Sequence, residues 1–321
     1  MHKITYCLLY GICYAISLLP FKVLYLLSDA LYAVMYHLIR YRRGIVRSNL
    51  SSSFPEKEEQ EIVAIEKKFY HWFCDYFMEA LKLLSISEAK LRRHLVITNS
   101  DEIEATFQEG QDVAAFLGHY CNWEWLTCVG IGLPKNRIVG LVYHPLYNQA
   151  FEKLFRKIRS SVGGVPIPKK DILRYLLDYN EKGIRSIFGY VVDQGPKWEN
   201  IHLWLPFLNH DTPVFTGAER IVRKRKQAVY YMEMIREKRG KYVCTYHLIT
   251  KEPQELGEYE VTRRVFELLE QTICRQPEFY LWSHNRWKRT HEEFDRRFEV
   301  VNGKVLPRKA EQQPAASNPN E

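Results

Sequence analysis

The 321-residue chain has seven cysteines, an odd number, at positions 7, 13, 74, 121, 128, 244 and 274. None falls in a C-x-x-C pair and no His/Cys cluster has zinc-ligand spacing, which excludes a disulfide framework and a zinc finger. Free thiols in a reducing compartment are the expectation. Missing as well are an internal repeat, a phosphate-binding glycine loop and the periodicities of collagen and coiled coil. With 26% charged and 46% hydrophobic residues the chain is neither disordered nor a polytopic membrane protein.

What is present begins with charge and aromatics. Lys and Arg number 46 against 38 Asp and Glu, a net charge of +8. Aromatics make up 14%, with 21 tyrosines, a composition suited to a surface that meets lipid or a long apolar ligand. Residues 4–20 carry no charge, and residues 23–39 resume the apolar character with Asp29 as the one charge. Arg40, Arg42, Arg43 and Arg47 follow at once. A basic cluster after an apolar segment marks the cytoplasmic side and sits against anionic headgroups. A cleaved signal peptide is disfavoured, because the apolar character runs well past Ala15. The reading is a membrane anchor over 1–45, one span plus an interfacial helix, with a buried helical hairpin as the alternative. A catalytic domain over 46–300 and a disordered tail over 301–321 complete the division.

Ile62, Ile65, Phe69, Trp72, Phe73, Tyr76, Phe77, Ala80 and Leu84 recur at three- and four-residue steps, the mark of a core-facing helix. From Asp112 onward short apolar runs alternate with helical stretches. Strands are expected at 113–117, 138–143 and 185–192, with helices at 123–130, 147–159 and 171–181 between them. That alternation predicts an α/β fold with a largely parallel sheet. Residues 228–235 and 242–249 read as a hairpin, and 259–276 as a last helix.

Chemistry concentrates at Gly118-His119-Tyr120-Cys121-Asn122-Trp123-Glu124, where the first of these strands ends. A histidine in such a turn can face a cleft. Glu124, five residues on, is expected to fold back on the imidazole, fix its tautomer and raise its basicity, as a general base for a hydroxyl requires. A histidine–carboxylate pair at this spacing is weak evidence alone. The segment resembles the H-x4-[DE] block of the lysophospholipid acyltransferase superfamily, and most of all the late acyltransferases of lipid A biosynthesis, whose block reads H-x-G-N-W-E. The likeness continues through Arg47-Ser48-Asn49-Leu50 and Phe54-Pro55-Glu56, then Tyr143-His144-Pro145-Leu146-Tyr147-Asn148 and Asp193-Gln194-Gly195. Leu205-Pro206-Phe207-Leu208 and the closing run Pro277 to Lys288 extend it to about 300 residues. Departures are Cys121 in place of glycine, His144 and Asn285 in place of arginine, and Tyr280 in place of tryptophan.

The resemblance implies a mixed, largely parallel sheet flanked by helices, with an N-terminal membrane helix. It also implies acyl transfer from a thioester, with acyl carrier protein as donor and a lipid A precursor or related glycolipid as acceptor, at the bacterial inner membrane with the catalytic domain on the cytoplasmic side. His119 is then the base with Glu124 as its partner. Arg159 and Arg156 become candidates for binding oxyanion or phosphate, and Asn148, Asp193 and Gln194 for binding substrate. No cofactor, metal or nucleic acid is called for. Arg220, Arg223, Lys224, Arg225 and Lys226 are read as an anion-facing surface, and Trp198, Trp204 and Phe207 as lipid contacts. An acyltransferase acting on another lysolipid or aminolipid, or an inactive lipid-binding relative, are the alternatives.

Overall fold

The structure is a computed structural model that describes residues 2–134, 136–301 and 303–308. Two apolar helices open it, α1 (His2–Leu18) and α2 (Phe21–Tyr32), broken apart at Pro20, whose ring cannot continue a helix. A π-helical turn, Ala33–Ile39, prolongs α2. The 19 residues Phe21–Ile39 are long and apolar enough to cross a membrane by length and composition. One face of this pair packs on the rest of the chain, with Leu24 and Ser28 buried, while Leu8, Leu26, Leu38 and Ile39 stand 65–76% exposed on the other. The segment read as an anchor is thus a pair of helices with one face packed and one exposed. α3 (Arg43–Ser53) and the long α4 (Glu59–Lys82) follow, then the single turn α5 (Glu88–Leu91).

The strands are β1 (Leu95–Thr98), β2 (Val113–Leu117), β3 (Ile138–Tyr143), β4 (Val165–Pro168) and β5 (Ser186–Val191), with α6 (Ser100–Gln108), α7 (Gln149–Ser160) and α8 (Ile172–Glu181) among them. A small hairpin β6 (Trp204–Phe207) and β7 (His210–Pro213) leads through α9 (Gly217–Arg225) to the long hairpin β8 (Ala228–Lys238) and β9 (Lys241–Thr250). Then come α10 (Glu260–Arg275), α11 (His291–Arg297) and a last hairpin, β10 (Phe298–Val301) with β11 (Lys304–Pro307). The sheet order is β1-β9-β8-β2-β5-β3-β4. All neighbours are parallel except β8 and β9. The expected α/β class and largely parallel sheet are what the chain forms. β2 is buried at every residue, as a central strand covered on both faces must be. β4, a Val-Pro-Ile-Pro edge strand, is absent from the expectations because proline is tolerated only at an edge. The expected tail from 301 overlaps β11, and residues 309–321 lie outside the described residues.

The interior is held by carboxylates buried along α4. Asp75 accepts from Ser28 Oγ at 2.7 Å, from Arg236 at 2.7 Å and from Arg239 at 2.6 Å, tying α2 to the β8–β9 hairpin. Glu79, fully buried, accepts from Tyr25 Oη at 2.8 Å, Asn122 Nδ2 at 2.6 Å and Tyr242 Oη at 2.6 Å. Trp125 Nε1 donates to its carbonyl at 2.9 Å. One helical turn therefore grips α2, β9 and the segment that follows His119. Burial pushes the Glu79 carboxyl up to about 7, against the pull of Arg236 and its hydrogen-bond donors.

Removing Asp75 leaves Arg236, whose side chain is 11% exposed, without its carboxylate. Asp75→Ala is expected to destabilise the fold by about 3–5 kcal/mol in thermal or denaturant unfolding of the detergent-solubilised protein. Glu79 gives a prediction in pH. Its carboxyl is raised on folding, so its stabilising contribution is complete below about 4.5 and is lost as pH rises through about 7. Glu79→Gln removes that titration, and its melting temperature should fall less than wild type's over this interval.

Candidate active site

β2 and β5 are adjacent parallel strands, and each delivers a side chain just past its C-terminal end, where open α/β sheets receive ligands. From β2 comes His119, and from β5 comes Asp193. Gly118 permits the approach, since a Cβ there would meet Leu269 of α10 at 2.7 Å. Asp193 Oδ1 lies 2.7 Å from His119 Nδ1, and Asp193 Oδ2 accepts the His119 backbone N–H at 3.0 Å. A carboxylate on Nδ1 places the proton there and leaves Nε2 as the basic nitrogen. The Gln194 amide nitrogen sits 3.2 Å from that Nε2 and donates to it. Burial alone would raise the Asp193 carboxyl, but His119 and the Arg286 guanidinium outweigh it and hold it below its usual range. The imidazole edge is partly open, at 19% side-chain exposure, against 3% for Asp193.

Glu124 is placed differently from the expectation. It does not reach back to His119; its two oxygens accept from Arg159 Nε at 3.0 Å and Nη2 at 2.7 Å. A guanidinium offers a bidentate, charge-assisted match that a neutral imidazole lacks, and Glu124 is 3% exposed, where an unpaired charge would be costly. Arg159 is accordingly not on a solvated helix face: its guanidinium stacks over Tyr143 at 5.2 Å and Phe155 at 5.5 Å. Nη1 has no hydrogen bond among the described residues. Trp123 joins the two pairs, with its ring edge-on to His119 at 5.2 Å and stacked on Tyr76 at 4.1 Å. The expected helix at 123–130 is a 3-10 helix, Trp123–Gly132, started by Asn122, whose Oδ1 accepts from Trp125 N.

Asn148 caps α7, its Oδ1 accepting from Ala150 N at 3.0 Å and Phe151 N at 3.3 Å. Glu152, beneath it, holds the Tyr143–Leu146 turn by Tyr143 Oη at 2.6 Å and Leu146 N at 2.8 Å. Arg156 is exposed on the same helix as Arg159. Cys121 has a left-handed backbone, φ 52°, the conformation glycine adopts most easily, at the very position where the resembling motif has glycine. Burial pushes its thiol up, so it is no nucleophile.

Two other expectations concern surfaces. Phe207 is fully buried against Phe266 and Tyr280, Trp204 stacks on His291 at 4.4 Å, and Trp198 on Phe298 at 5.7 Å. Phe207 thus packs inside the protein, while Trp198 and Trp204 stay half-buried. In the basic cluster Arg223 donates to the carbonyls of Leu256 and Gly257. Arg225 and Lys226 lie at the opposite end of the sheet from His119, because Ala228 pairs with Val113, the first residue of β2.

The closing run Pro277 to Lys288 pins the histidine block, a contact its sequence does not announce. Residues 279–281 lie against it: Cys121 N donates to Phe279 O at 2.8 Å and Leu281 N to His119 O at 3.1 Å. Asn49 of α3 donates to the carbonyls of Trp282 and His284 at 2.8 and 2.9 Å, and Arg286, 2% exposed, donates to Pro213 O at 2.6 Å. His284, in the same segment, is pushed down to about 4 by burial and the cations around it, Arg286 among them. The motif blocks around His119, Asp193 and residues 279–286 thus meet at one strand-end site, with Asn49 holding the last of them. No curated protein matches the chain. Residues 1–289 do match the family model of the bacterial lipid A biosynthesis acyltransferase, and the chain accordingly belongs to that family and is an acyltransferase of lipid A synthesis.

Proposed function

We propose that the chain moves a fatty acyl group from a thioester on acyl carrier protein to a hydroxyl of a lipid A precursor, at the cytoplasmic face of the bacterial inner membrane. The His119–Asp193 pair carries the mechanism. The acceptor hydroxyl displaces the Gln194 amide from Nε2 and gives its proton to that nitrogen, while the Asp193 carboxylate stabilises the resulting imidazolium. The freed oxygen attacks the thioester carbonyl, a C–O bond forms, and a tetrahedral oxyanion develops. Collapse breaks the C–S bond, and the departing thiolate takes the proton back from Nε2.

Oxyanion stabilisation is assigned to Arg159, whose Nη1 has no hydrogen bond among the described residues while Glu124 clamps Nε and Nη2. A fixed donor of this kind is worth on the order of 3 kcal/mol in the transition state. Glu124 then serves through the guanidinium it orients rather than through the imidazole. For the acidic carrier, exposed Arg156 and Lys157 on α7 are cations on the helix that also carries Arg159. Arg225 and Lys226, at the far end of the sheet, are poorly placed for delivering a thioester. Membrane contact is supported by the exposed apolar faces of α1 and of Phe21–Ile39, with the arginines that follow.

His119→Ala should lower kcat by about 10²–10⁴-fold in transfer of a radiolabelled acyl chain from acyl carrier protein, and should also lower the melting temperature, since it leaves the buried Asp193 carboxylate without the imidazole. Asp193→Asn should lower kcat more than the acceptor KM, because it disturbs a tautomer and not a binding contact. In cells, mass spectrometry of lipid A from a deletion strain should show one acyl unit missing, restored by the wild-type chain. Restoration by His119→Ala as well would end the assignment of the base. Arg159→Lys replaces a bidentate fork by a point charge and should lower kcat on the order of 10²-fold. Near-normal turnover would place the oxyanion donor elsewhere.

A further inference from the structure

Where the apolar segment Phe21–Ile39 ends, Arg40, Arg43, Gly44, Arg47 and Glu66 line a cavity of about 300 Å³. Three guanidiniums face one carboxylate there. Glu66, with 1% of its side chain exposed, accepts from Arg43 Nε at 3.3 Å and Arg47 Nε at 2.6 Å. Arg43 also stacks over Tyr36 at 4.3 Å, and the rim residue Glu59, 86% exposed, lies 3.6 Å from Arg47. The Arg40 side chain is exposed and has no hydrogen bond or ion pair among the described residues. The cavity is thus electropositive even after its internal pairing. The residues just before it, Leu38 and Ile39, are 76% and 65% exposed and apolar. An apolar helix end running directly into unneutralised guanidiniums is the pattern of a lipid–water boundary, where a phosphate sits above its acyl chains.

We propose that this cavity binds the phosphate of an anionic membrane lipid headgroup, at a site separate from the strand-end centre. The inference rests on the membrane contact proposed above. It also assigns that contact an orientation. α3 bears Arg43 and Arg47 on its first turns and, through Asn49, holds residues 282–284 of the strap over His119. Arg42 adds a hydrogen bond to Ser283 O at 3.0 Å. A headgroup seated on these arginines therefore fixes the strand-end face relative to the bilayer.

The test uses the full chain in neutral detergent, titrated with short-chain phosphatidylglycerol, short-chain phosphatidylcholine or inorganic phosphate, with melting temperature as readout. Phosphatidylglycerol should stabilise the wild type, phosphatidylcholine should not, and Arg40→Gln should need about fivefold more lipid for the same shift. The Arg40 side chain has no partner to lose among the described residues, so the substitution leaves the fold intact. Gly44→Asp places a carboxylate in the cavity where a Cβ meets nothing within 4 Å, and it should abolish the response. An equal, Arg40-dependent shift with inorganic phosphate would uphold the site and make free phosphate its source. Identical titrations for wild type and both variants, or an equal effect of phosphatidylcholine, would overturn it. Sedimentation with vesicles of phosphatidylcholine alone tests the membrane contact separately, since that contact needs only the apolar helices. Acyl transfer to detergent-dispersed acceptor should be unchanged in Arg40→Gln.

Discussion

The structure depends on how carboxylates are kept paired away from water. Helix α4 carries Glu66, Asp75 and Glu79, all buried, and each faces a different part of the chain. Glu66 takes up arginines of α3, Asp75 those of the β8–β9 hairpin, and Glu79 the hydroxyls and amide that join α2, β9 and the histidine block. A buried charge that loses its partner costs several kcal/mol, so each partner's position is fixed to within hydrogen-bond tolerance. The same constraint operates at the site, where Glu124 claims Arg159 and Asp193 claims His119.

That constraint also explains which parts of the site were legible in the sequence. His119 at a strand end followed from the apolar run 113–117, whose bounds agree with β2, and strand β3 was read with equal accuracy. The carboxylate on the imidazole was not, because proximity in sequence made Glu124 the natural partner. Asp193, 74 residues away, reaches His119 only because β2 and β5 pair in register. Its position after a strand was visible and marked it for ligand contact; the adjacency of the two strands was not visible. Arg159 was singled out as a candidate, while Glu124, which pairs with it, was assigned to the imidazole.

Elsewhere local signals were overridden by tertiary ones. The prolines of β4 argued against a strand, yet the edge of the sheet leaves their missing N–H groups without consequence. Trp198, Trp204 and Phe207 read as lipid contacts, but α10 covers Phe207, and Trp198 and Trp204, half-buried, stack on Phe298 and on His291 of α11. The exposed apolar surface is at the N-terminus, on the faces of α1 and α2 that α4 and α7 leave uncovered.

The strap at residues 279–284 has a consequence for how the protein comes into being. His119 and Cys121 are bonded by Leu281 and Phe279, and Asn49 waits for Trp282 and His284. During synthesis α1 and α2 precede every strand, so they are made while no sheet yet exists. The histidine block, residues 118–124, is made long before residues 279–284, which supply its last clasp. The reaction centre is thus unfinished until those residues have been added, however much of the sheet has formed before them.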